Sequence, residues 1–214
     1  MNQPDARYAF FDFDGTLTRH DSFMRFCVFC TGRRRVGMAL IRCLPWLIGW
    51  QVGIIPGGKA KERLIAALFK GKSHEWLREQ GERFAYEIEK DLNGPVMERM
   101  KGHISRGDRV AIVSASLRDW IEPWARRHGI NCVLATELAD DSDGLLTGKF
   151  LKPNCLGPEK ARRIRELIGD DREALIWAYG NSAGDNEMLA LATHPCRVDS
   201  SGKTDDFRRS ELDI

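Results

Sequence analysis

Apolar residues are grouped along the chain in short blocks. Five blocks, each bounded by polar or turn-forming residues, have the length and character of strands in a sheet covered on both faces. They are residues 8–13, 109–114, 132–136, 174–179 and 195–198. Three segments with helical character lie between or beside the later blocks, at residues 117–128, 158–168 and 185–192. Strands that alternate with helices predict an α/β fold with a Rossmann-like, doubly wound parallel sheet.

Residues 18–95 have no segment with the character of a strand, and their turn-forming interruptions indicate several helices. Ligands of open α/β sheets bind outside the carboxyl ends of the strands, so an insertion that leaves the first such end is placed to cover the site. We therefore predict an α/β core of residues 1–17 and 96–214 and a helical cap domain of residues 18–95. Turn residues between 136 and 152 predict a hairpin that extends the core sheet.

The most apolar part of the predicted cap is residues 36–55, which follow three arginines at 33–35 and contain one charged residue, Arg42. The length approaches the roughly 20 residues that a membrane span requires. Pro45 in the middle and the cost of burying Arg42 in lipid argue against a span. Three interpretations stay open: a buried helical hairpin within the cap, which we favour, contact with a membrane surface, and a true span.

The balance of charges limits the class of partner. Lys and Arg together number 33 against 31 for Asp and Glu, a formal net charge of +2, which argues against an extended nucleic-acid interface. Six cysteines are scattered along a chain whose first residues lack the order of a signal peptide. We therefore expect reduced thiols and a cytoplasmic location. The oligomeric state is not indicated.

Polar residues stand at the ends of the predicted strands or just beyond them. They are Asp12 and Asp14, Ser114, Lys160, and the loop at residues 180–185. Because the carboxyl ends of parallel strands lie at one edge of a sheet, we expect these groups to converge. Such a set suits hydrolysis of a phosphate monoester, a reaction so slow in water that several groups must cooperate.

The two aspartates would have opposite roles in that reaction. Asp12 would attack phosphorus and form an aspartyl phosphate, while Asp14 would protonate the leaving oxygen and then accept a proton from the attacking water. Lys160 would neutralise charge on the phosphoryl group and on Asp12. The Ser114 hydroxyl and nearby backbone N–H groups would bind phosphate oxygens.

A divalent cation would offset the repulsion between these carboxylates and a phosphate dianion, and a site with only oxygen ligands suits Mg²⁺. The candidate ligands are Asp12, the backbone carbonyl of Asp14 and the loop at residues 180–185. Gly15 and Thr16 would shape the loop around the phosphate.

In combination these residues resemble the motifs of the haloacid dehalogenase superfamily of phosphohydrolases. The first motif resembles residues 12–18 (Asp-Phe-Asp-Gly-Thr-Leu-Thr), the second residues 112–116 (Ile-Val-Ser-Ala-Ser), the third Lys160 with the residues before it, and the fourth residues 179–189. The resemblance covers nearly the whole chain and implies the superfamily's α/β fold, Mg²⁺ as the cofactor and a small phosphorylated metabolite as the substrate. The position of the helices is similar to the C1-type cap of subfamily IB, the phosphoserine-phosphatase-like branch.

The same resemblance assigns further residues. Asp21 falls near a cap-hinge acid that contacts substrate in that branch, and Ala115 and Gly184 fall at phosphate-binding positions, although Gly184 replaces an asparagine. Asp185 matches the second acidic position of the fourth motif, whereas Asn181 stands at the first, usually a direct ligand of Mg²⁺. An amide oxygen ligates Mg²⁺ without adding charge, so we expect weaker metal affinity rather than an inactive protein.

Several functions stay open. The first is a phosphatase for a small phosphate monoester. The second keeps the chemistry but acts on a phospholipid headgroup at a membrane surface, because the apolar cap and residues 155–160 also look similar to the phosphatidylglycerophosphatase C type. A non-catalytic phosphoryl-binding module and a dehalogenase are both disfavoured by the presence of Asp14. A phosphomutase also remains, since the fold does not fix function.

Overall fold

The structure, a computed structural model, describes residues 6–169, 171, 174–199 and 201–206. The strands in these residues are β1 (Arg7–Phe11), β2 (Arg109–Leu117), β3 (Cys132–Thr136), β4 (Leu138–Asp140), β5 (Leu146–Phe150), β6 (Leu175–Gly180), β7 (His194–Val198) and β8 (Thr204–Asp206). Six of them form one sheet in the order β3-β2-β1-β6-β7-β8. Its pairs are parallel except for β8, which runs antiparallel to β7. The predicted α/β fold is confirmed.

The helices in the described residues are α1 (Ser22–Thr31), α2 (Arg33–Gln51), α3 (Gly57–Phe69), α4 (His74–Ile88), α5 (Gly94–Ser105), α6 (Arg118–Arg127), α7 (Pro158–Ile168) and α8 (Asn186–Leu191). The first five lie between β1 and β2, and residues 18–95, all of which are described, contain no strand. The helical insertion that the sequence predicts after the first strand is therefore present, and we refer to α1–α4 as the helical insert.

Strand β1 occupies the middle of the sheet because it is apolar on both faces. Phe10 and Phe11 have no exposed surface and face opposite sides, as successive residues of a strand must. Phe11 stacks on Tyr179 of β6 with the ring centroids 4.4 Å apart, in the larger core that continues into the helical insert. Phe10 lies in a smaller core with residues of α7 and α8. Helices thus cover both faces of the strand that leads to Asp12.

The helical insert shares the larger core with the sheet. Trp120 of α6 is fully buried and stacks on Phe26 of α1, with ring centroids 4.2 Å apart, and its indole N–H donates to the Ser22 hydroxyl at 2.9 Å. Helix α4 lies against α6 at Gly81, where an added Cβ would be 2.0 Å from the Asp119 carbonyl oxygen. Only a glycine permits this approach, which fixes α4 against the helix that follows β2.

Two predicted strand ends were wrong by more than one residue. β1 ends at Phe11, because Phe13–Leu17 already form a tight helical turn with Asp14 and Gly15 out of helical geometry. β2 continues to Leu117, with a change of register after Ser114. The two irregular residues, 115 and 116, leave the strand pairing at the edge where the polar residues collect, a common use of bulges beside active sites.

The predicted hairpin exists, but its predicted attachment to the core sheet was wrong. β4 and β5 pair only with each other, as a separate two-stranded antiparallel sheet. Its backbone groups bind the helical insert instead: the Phe150 N–H donates to Glu62 at 2.9 Å, and the Leu146 N–H donates to the Lys72 carbonyl at 2.8 Å. The hairpin therefore finds its hydrogen-bond partners in the helical insert and not in β3, the edge strand of the core sheet.

The favoured interpretation of residues 36–55 as a buried hairpin was also wrong. Helix α2 continues through Pro45 to Gln51, since a proline removes one helical N–H and need not end the helix. Val36, Ala39 and Cys43 are buried on one face, while apolar residues on the opposite face are exposed. In the part of the chain that the structure describes, no helix is long and apolar enough to cross a membrane.

His74, the first residue of α4, ties the helical insert to the rest of the molecule. Its Nε2 lies 2.9 Å from Asp119 of α6, and its Nδ1 lies 2.7 Å from Asp140 of β4. A carboxylate only accepts hydrogen bonds, so the cationic imidazole, with protons on both ring nitrogens, is the form that satisfies both contacts. The bond to Asp119, and a second to Asp140, raise the pKa of His74 above its ordinary value although partial burial opposes the shift.

We predict that His74→Gln destabilises the protein more at about pH 5.5 than at about pH 8.5. A raised folded-state pKa contributes stability that is complete below the unfolded pKa of about 6.5 and is lost as the pH rises through the folded value. Urea unfolding of wild type and variant at the two pH values measures the difference. Asp140→Asn, which removes one partner, should reduce this pH dependence. An equal loss of stability at both pH values would contradict the interpretation.

Candidate active site

A cavity of about 430 Å³ lies at the carboxyl ends of β1, β2 and β6. Nine of the predicted site residues line it, namely Asp12, Asp14, Gly15, Asp21, Ser114, Ala115, Lys160, Asn181 and Asp185. They come from sequence positions as far apart as residue 12 and residue 185. The structure therefore brings most of the predicted site together at one edge of the sheet.

The base of the cavity is a buried cluster of two carboxylates and one ammonium group. Lys160 Nζ donates to Asp12 Oδ1 at 2.5 Å and to Asp185 Oδ1 at 2.6 Å. Lys160 is 1% exposed, and it enters the cluster from the first turn of α7. The three side chains together carry a net charge of −1 when both carboxylates are ionised.

The two carboxylates differ in how they are stabilised. Burial, and then the charge of Asp185, raise the pKa of Asp12 although Lys160 opposes the shift. Burial would raise the pKa of Asp185 as well, but Lys160 and the donors of Ser182 prevail and lower it. Asp185 Oδ2 accepts the backbone N–H groups of Asn181 and Ser182 at 3.1 and 2.9 Å. Asp12 is therefore the member of the cluster whose ionised form needs more positive charge.

Gly15 allows the loop after β1 to approach the loop after β6. It has a φ of +76°, and an added Cβ would lie 2.2 Å from Asn181 Nδ2. Thr16, behind the cavity, donates its hydroxyl to Asp12 Oδ2 at 3.2 Å, and Asn181 Oδ1 also lies 3.3 Å from that hydroxyl. The Asp12 carboxylate and the Asn181 amide oxygen are thus held around one hydroxyl group.

Asp14 is held at the entrance to the helical insert. Its Oδ1 accepts the Ser22 backbone N–H at 2.6 Å, and its Oδ2 accepts the Ser116 hydroxyl at 2.5 Å. Burial, and then the nearby charge of Asp21, raise the pKa of Asp14 although these two donors oppose the shift. A carboxyl group with a raised pKa is suited to donating and accepting protons near neutral pH.

The irregular end of β2 supplies the opposite wall. Ser114 is buried, and its Oγ accepts the Ser116 backbone N–H at 3.0 Å. Its neighbour Ala115 lines the cavity, and the Ala115 carbonyl accepts a hydrogen bond from Lys61 Nζ at 2.9 Å. The bulge thus orients a hydroxyl and a backbone carbonyl around the cavity.

Lys61 is a site residue that the sequence analysis missed. It comes from α3 of the helical insert, and its ammonium group also lies over the Phe23 ring, 4.4 Å from the centroid. Burial lowers the pKa of Lys61, an effect that the carboxylates of Asp14 and Asp21 oppose. In the sequence it is one of two lysines on a helix with ordinary spacing, so no local signal separates it from a surface lysine.

Other contributors to the site were not predicted either. Arg19 lines the cavity, and the hydroxyl of Ser116 and the backbone of Ser22 hold Asp14. Ser116 belongs to the second motif, so the sequence placed it near the site. The motif alone did not indicate its contact with Asp14. Asp21 lines the cavity as predicted while it caps α1, accepting the Met24 N–H at 3.1 Å.

Gly184 lies outside the wall of the cavity. Its carbonyl accepts the Gly157 N–H at 2.9 Å, and an added Cβ would lie 2.5 Å from Leu156 Cδ1. In the structure, Gly184 joins the loop after β6 to the start of α7, and Leu156, its neighbour, reaches the cavity in its place.

The residues present fit a Mg²⁺ ion by the chemistry of their donors. Asp12, the backbone carbonyl of Asp14, Asn181 and Asp185 offer oxygen atoms, which Mg²⁺ prefers. A cation would also favour the ionised form of Asp12, which Lys160 alone does not secure. Among the described residues no group of three or more His, Cys, Asp or Glu side chains is arranged to hold a metal ion. An ion here would therefore depend on the Asn181 amide and a backbone carbonyl as well as on carboxylates.

Comparison with known proteins identifies the family to which the chain is similar. The model of the haloacid dehalogenase-like hydrolase family matches residues 9–190. Protein CicA of Caulobacter vibrioides is 34% identical over 183 residues, which are 85% of this chain and 81% of that protein. The structure of a protein of unknown function from Bordetella pertussis Tohama I is similar with a TM-score of 0.74 and 25% identity, covering 89% of this chain and 88% of the other.

A phosphoserine phosphatase solved with bound substrate is similar with a TM-score of 0.62 and 19% identity, and the match covers 89% of this chain and 84% of that one. The fold and the cavity define an α/β enzyme with its polar groups at the carboxyl ends of parallel strands. The chain belongs to the haloacid dehalogenase-like hydrolase family. The predicted superfamily and the prediction of a hydrolase are confirmed.

We predict that Gly15→Ala lowers kcat/KM for para-nitrophenyl phosphate by about 10²-fold, because the new methyl group displaces Asn181, whose amide oxygen shares the Thr16 hydroxyl with Asp12. Gly107→Ala is the matched control, since Gly107 has a φ of +75° and no atom within 4 Å of an added Cβ. Both changes should cost about 1–2 kcal/mol of stability through the backbone conformation. Steady-state kinetics below the melting transition of each variant measures the difference, and equal activity of the two variants would refute the role of Gly15.

Proposed function

We propose that this hydrolase is a Mg²⁺-dependent phosphatase that cleaves a phosphate monoester through an aspartyl phosphate on Asp12. The observation that carries the proposal is the pairing of Asp12 with buried Lys160 beside a second aspartate, Asp14, whose pKa is raised. The first group suits a nucleophile that must stay ionised, and the second suits a general acid and base.

In the first step Asp12 attacks phosphorus, a P–O bond to its carboxylate forms, and the P–O bond to the leaving group breaks. Asp14 gives its proton to the leaving oxygen. Lys160 favours the ionised form of Asp12, and its ammonium group and the Ser114 hydroxyl bind the phosphoryl oxygens. The position of Asp14 between Ser22 and Ser116 supports its role, because both donors hold it at the cavity.

In the second step water attacks the aspartyl phosphate, and inorganic phosphate leaves. Asp14, now ionised, accepts the proton of that water, which returns both aspartates to their starting states. A bound Mg²⁺ would offset the negative charge of the phosphoryl group and the carboxylates. Asp12, the Asp14 carbonyl, Asn181 and Asp185 would hold it.

We propose that residues 18–95 act as a cap domain that selects the substrate. Lys61 of α3 supports this, because it brings a positive charge from the helical insert into the cavity. With Arg19 at the wall, it favours a small phosphorylated metabolite that carries a further anionic group. We also propose a cytoplasmic location, with which the free thiols of the six cysteines are compatible.

A second candidate keeps this chemistry but places the phosphate on a phospholipid headgroup at a membrane surface. The observation that favours it is the exposed apolar face of α2, which packs beside the helix that supplies Lys61. A phosphate monoester is common to both substrate classes, so a comparison of soluble and vesicle-borne phosphate esters distinguishes them.

We predict different defects for the two aspartates. Asp12→Asn should reduce kcat by on the order of 10⁴-fold or more for every substrate, because no nucleophile remains. Asp14→Asn should lower the rate of the first step about 10²–10⁴-fold with an alkyl phosphate. With para-nitrophenyl phosphate, whose leaving group departs without protonation, the rate of that step should fall clearly less. Rapid-mixing kinetics with both substrates measures the first step.

The matched control is Asp21→Asn, which removes a carboxylate of the same cavity that has no role in bond cleavage under this proposal. It should retain hydrolysis of para-nitrophenyl phosphate to within about tenfold. Unchanged turnover in Asp12→Asn, or the same leaving-group dependence in Asp14→Asn and wild type, would refute the mechanism.

We predict that Asn181→Asp lowers the Mg²⁺ concentration for half-maximal activity about tenfold, because a carboxylate adds charge where the amide only coordinates. Asn186→Asp is the control: its amide oxygen accepts from Arg197 at 2.7 Å and takes no part in the proposed metal site. Titration of activity with Mg²⁺ in chelator-treated protein measures both. An equal shift in the two variants would mean that any added negative charge near the cavity has this effect. If Asn181→Asp shows no shift, Asn181 is not a ligand of the metal ion.

A further inference from the structure

Helix α2 is apolar on two opposite faces. Val36, Ala39 and Cys43 are buried on the face that packs in the helical insert. A helix that is apolar on all sides is normally enclosed by protein or by lipid. Among the residues that the structure describes, no segment covers the second face.

The uncovered face forms a continuous strip. Met38, Ile41, Leu44 and Ile48 follow one another at intervals of three or four residues, the spacing that aligns side chains along one side of a helix. Ile41 is 72% exposed, and each of the other three is more than half exposed. Beyond the helix the strip continues into Val52 and Ile54, which is 79% exposed. Exposed apolar patches of this extent on a soluble domain mark a binding surface.

The charges of the segment that carries the strip have one sign, although Lys59 at its end pairs with Glu62 of α3. Residues 33–59 contain five basic side chains and no Asp or Glu, and the basic residues are Arg33, Arg34, Arg35, Arg42 and Lys59. The three consecutive arginines are exposed at the start of α2. The apolar strip is therefore bordered by positive charge without a nearby compensating carboxylate of the same segment.

A shallow cavity of about 270 Å³ lies beside the strip. Its lining residues are Arg35, Met38, Ala39, Arg42, Ala67 and Leu68. Two guanidinium groups above an apolar floor match an anionic headgroup attached to an acyl chain, because arginine binds phosphate oxygens with several donors.

We propose that the exposed face of α2, with its flanking arginines, docks this protein on a membrane surface that contains anionic phospholipid. Amphipathic helices with basic residues beside an apolar face lie in the plane of the interface, where apolar burial and attraction to anionic lipid add together. The helix lies on the surface and does not cross it. The inference concerns binding alone and does not depend on the proposed chemistry at Asp12.

The charges favour lipid over a second copy of this chain. Two copies joined through this face would bring two basic surfaces together, and residues 33–59 offer no carboxylate to neutralise them. An anionic bilayer supplies that neutralisation, and it accepts an apolar strip without requiring a complementary shape.

Flotation of the purified full-length chain with phosphatidylcholine vesicles, with and without about one-third phosphatidylglycerol, tests the proposal. Wild type should float with the anionic vesicles, and binding should weaken with salt. Arg33→Gln/Arg34→Gln should lower the partition coefficient about 30-fold, and Ile41→Ser/Ile48→Ser by about tenfold or more. All variants should retain hydrolysis of para-nitrophenyl phosphate.

Two matched controls separate this surface from general effects. Lys149→Gln/Lys152→Gln removes two exposed positive charges that lie outside α2, and Tyr86→Ser/Leu151→Ser removes two exposed large side chains that also lie outside α2. Both should bind the anionic vesicles as wild type does. Asp12→Asn should bind equally well, so a failure of the proposed catalysis leaves this test intact.

Absence of wild-type protein from the floated anionic vesicles would overturn the proposal, as would equal losses in the control variants. Sedimentation velocity without lipid gives the remaining outcome. A dimer that Ile41→Ser/Ile48→Ser dissociates, in a protein that does not float, would assign the face to contact between copies of this chain and overturn the lipid proposal.

Discussion

The cluster of Asp12, Lys160 and Asp185 is the constraint on which the site depends. Burying two carboxylates is costly unless positive charge and hydrogen bonds compensate them, and one ammonium group serves both. The negative charge of Asp185 is stabilised further by backbone and hydroxyl donors from its own loop, whereas that of Asp12 is stabilised, among the described residues, only by Lys160 and the Thr16 hydroxyl. Asp12 is therefore the carboxylate that needs further positive charge, and it is the residue that we propose as the nucleophile. This imbalance, set where two strand ends meet the first turn of α7, is the physical basis for the proposed nucleophile and the proposed cation site.

The core of the site could be predicted because its residues are tied to strand ends. Asp12 and Asp14 follow a short, wholly apolar strand, and Lys160 begins a helix opened by Pro158, so periodicity and turn residues alone place them near one edge of the sheet. The full helix α7 was predicted with its observed bounds for the same reason. Gly15 could be singled out by its motif, but its contact with Asn181 links positions 166 residues apart and depends on the folded chain.

The remainder depends on tertiary packing, which local patterns do not encode. Lys61 becomes a site residue only because α3 lies over the bulge at Ala115. The hairpin of β4 and β5 reads as an extension of the core sheet, yet its backbone partners are in the helical insert. For α2, the apolar pattern correctly predicted that one face is buried. Whether its second apolar face is covered depends on the number of neighbouring helices, and in the structure the residues of that face are exposed.

The central claim is that Asp12 carries the phosphoryl group during turnover. Rapid acid quenching of wild type during hydrolysis of a radiolabelled phosphate ester, followed by proteolysis and peptide mapping, tests it most directly. The account predicts a label that is stable in acid, is lost in mild base as an acyl phosphate is, maps to the peptide containing Asp12, and is absent when Mg²⁺ is chelated. Turnover without any labelled protein, or a label on a different residue, would contradict it.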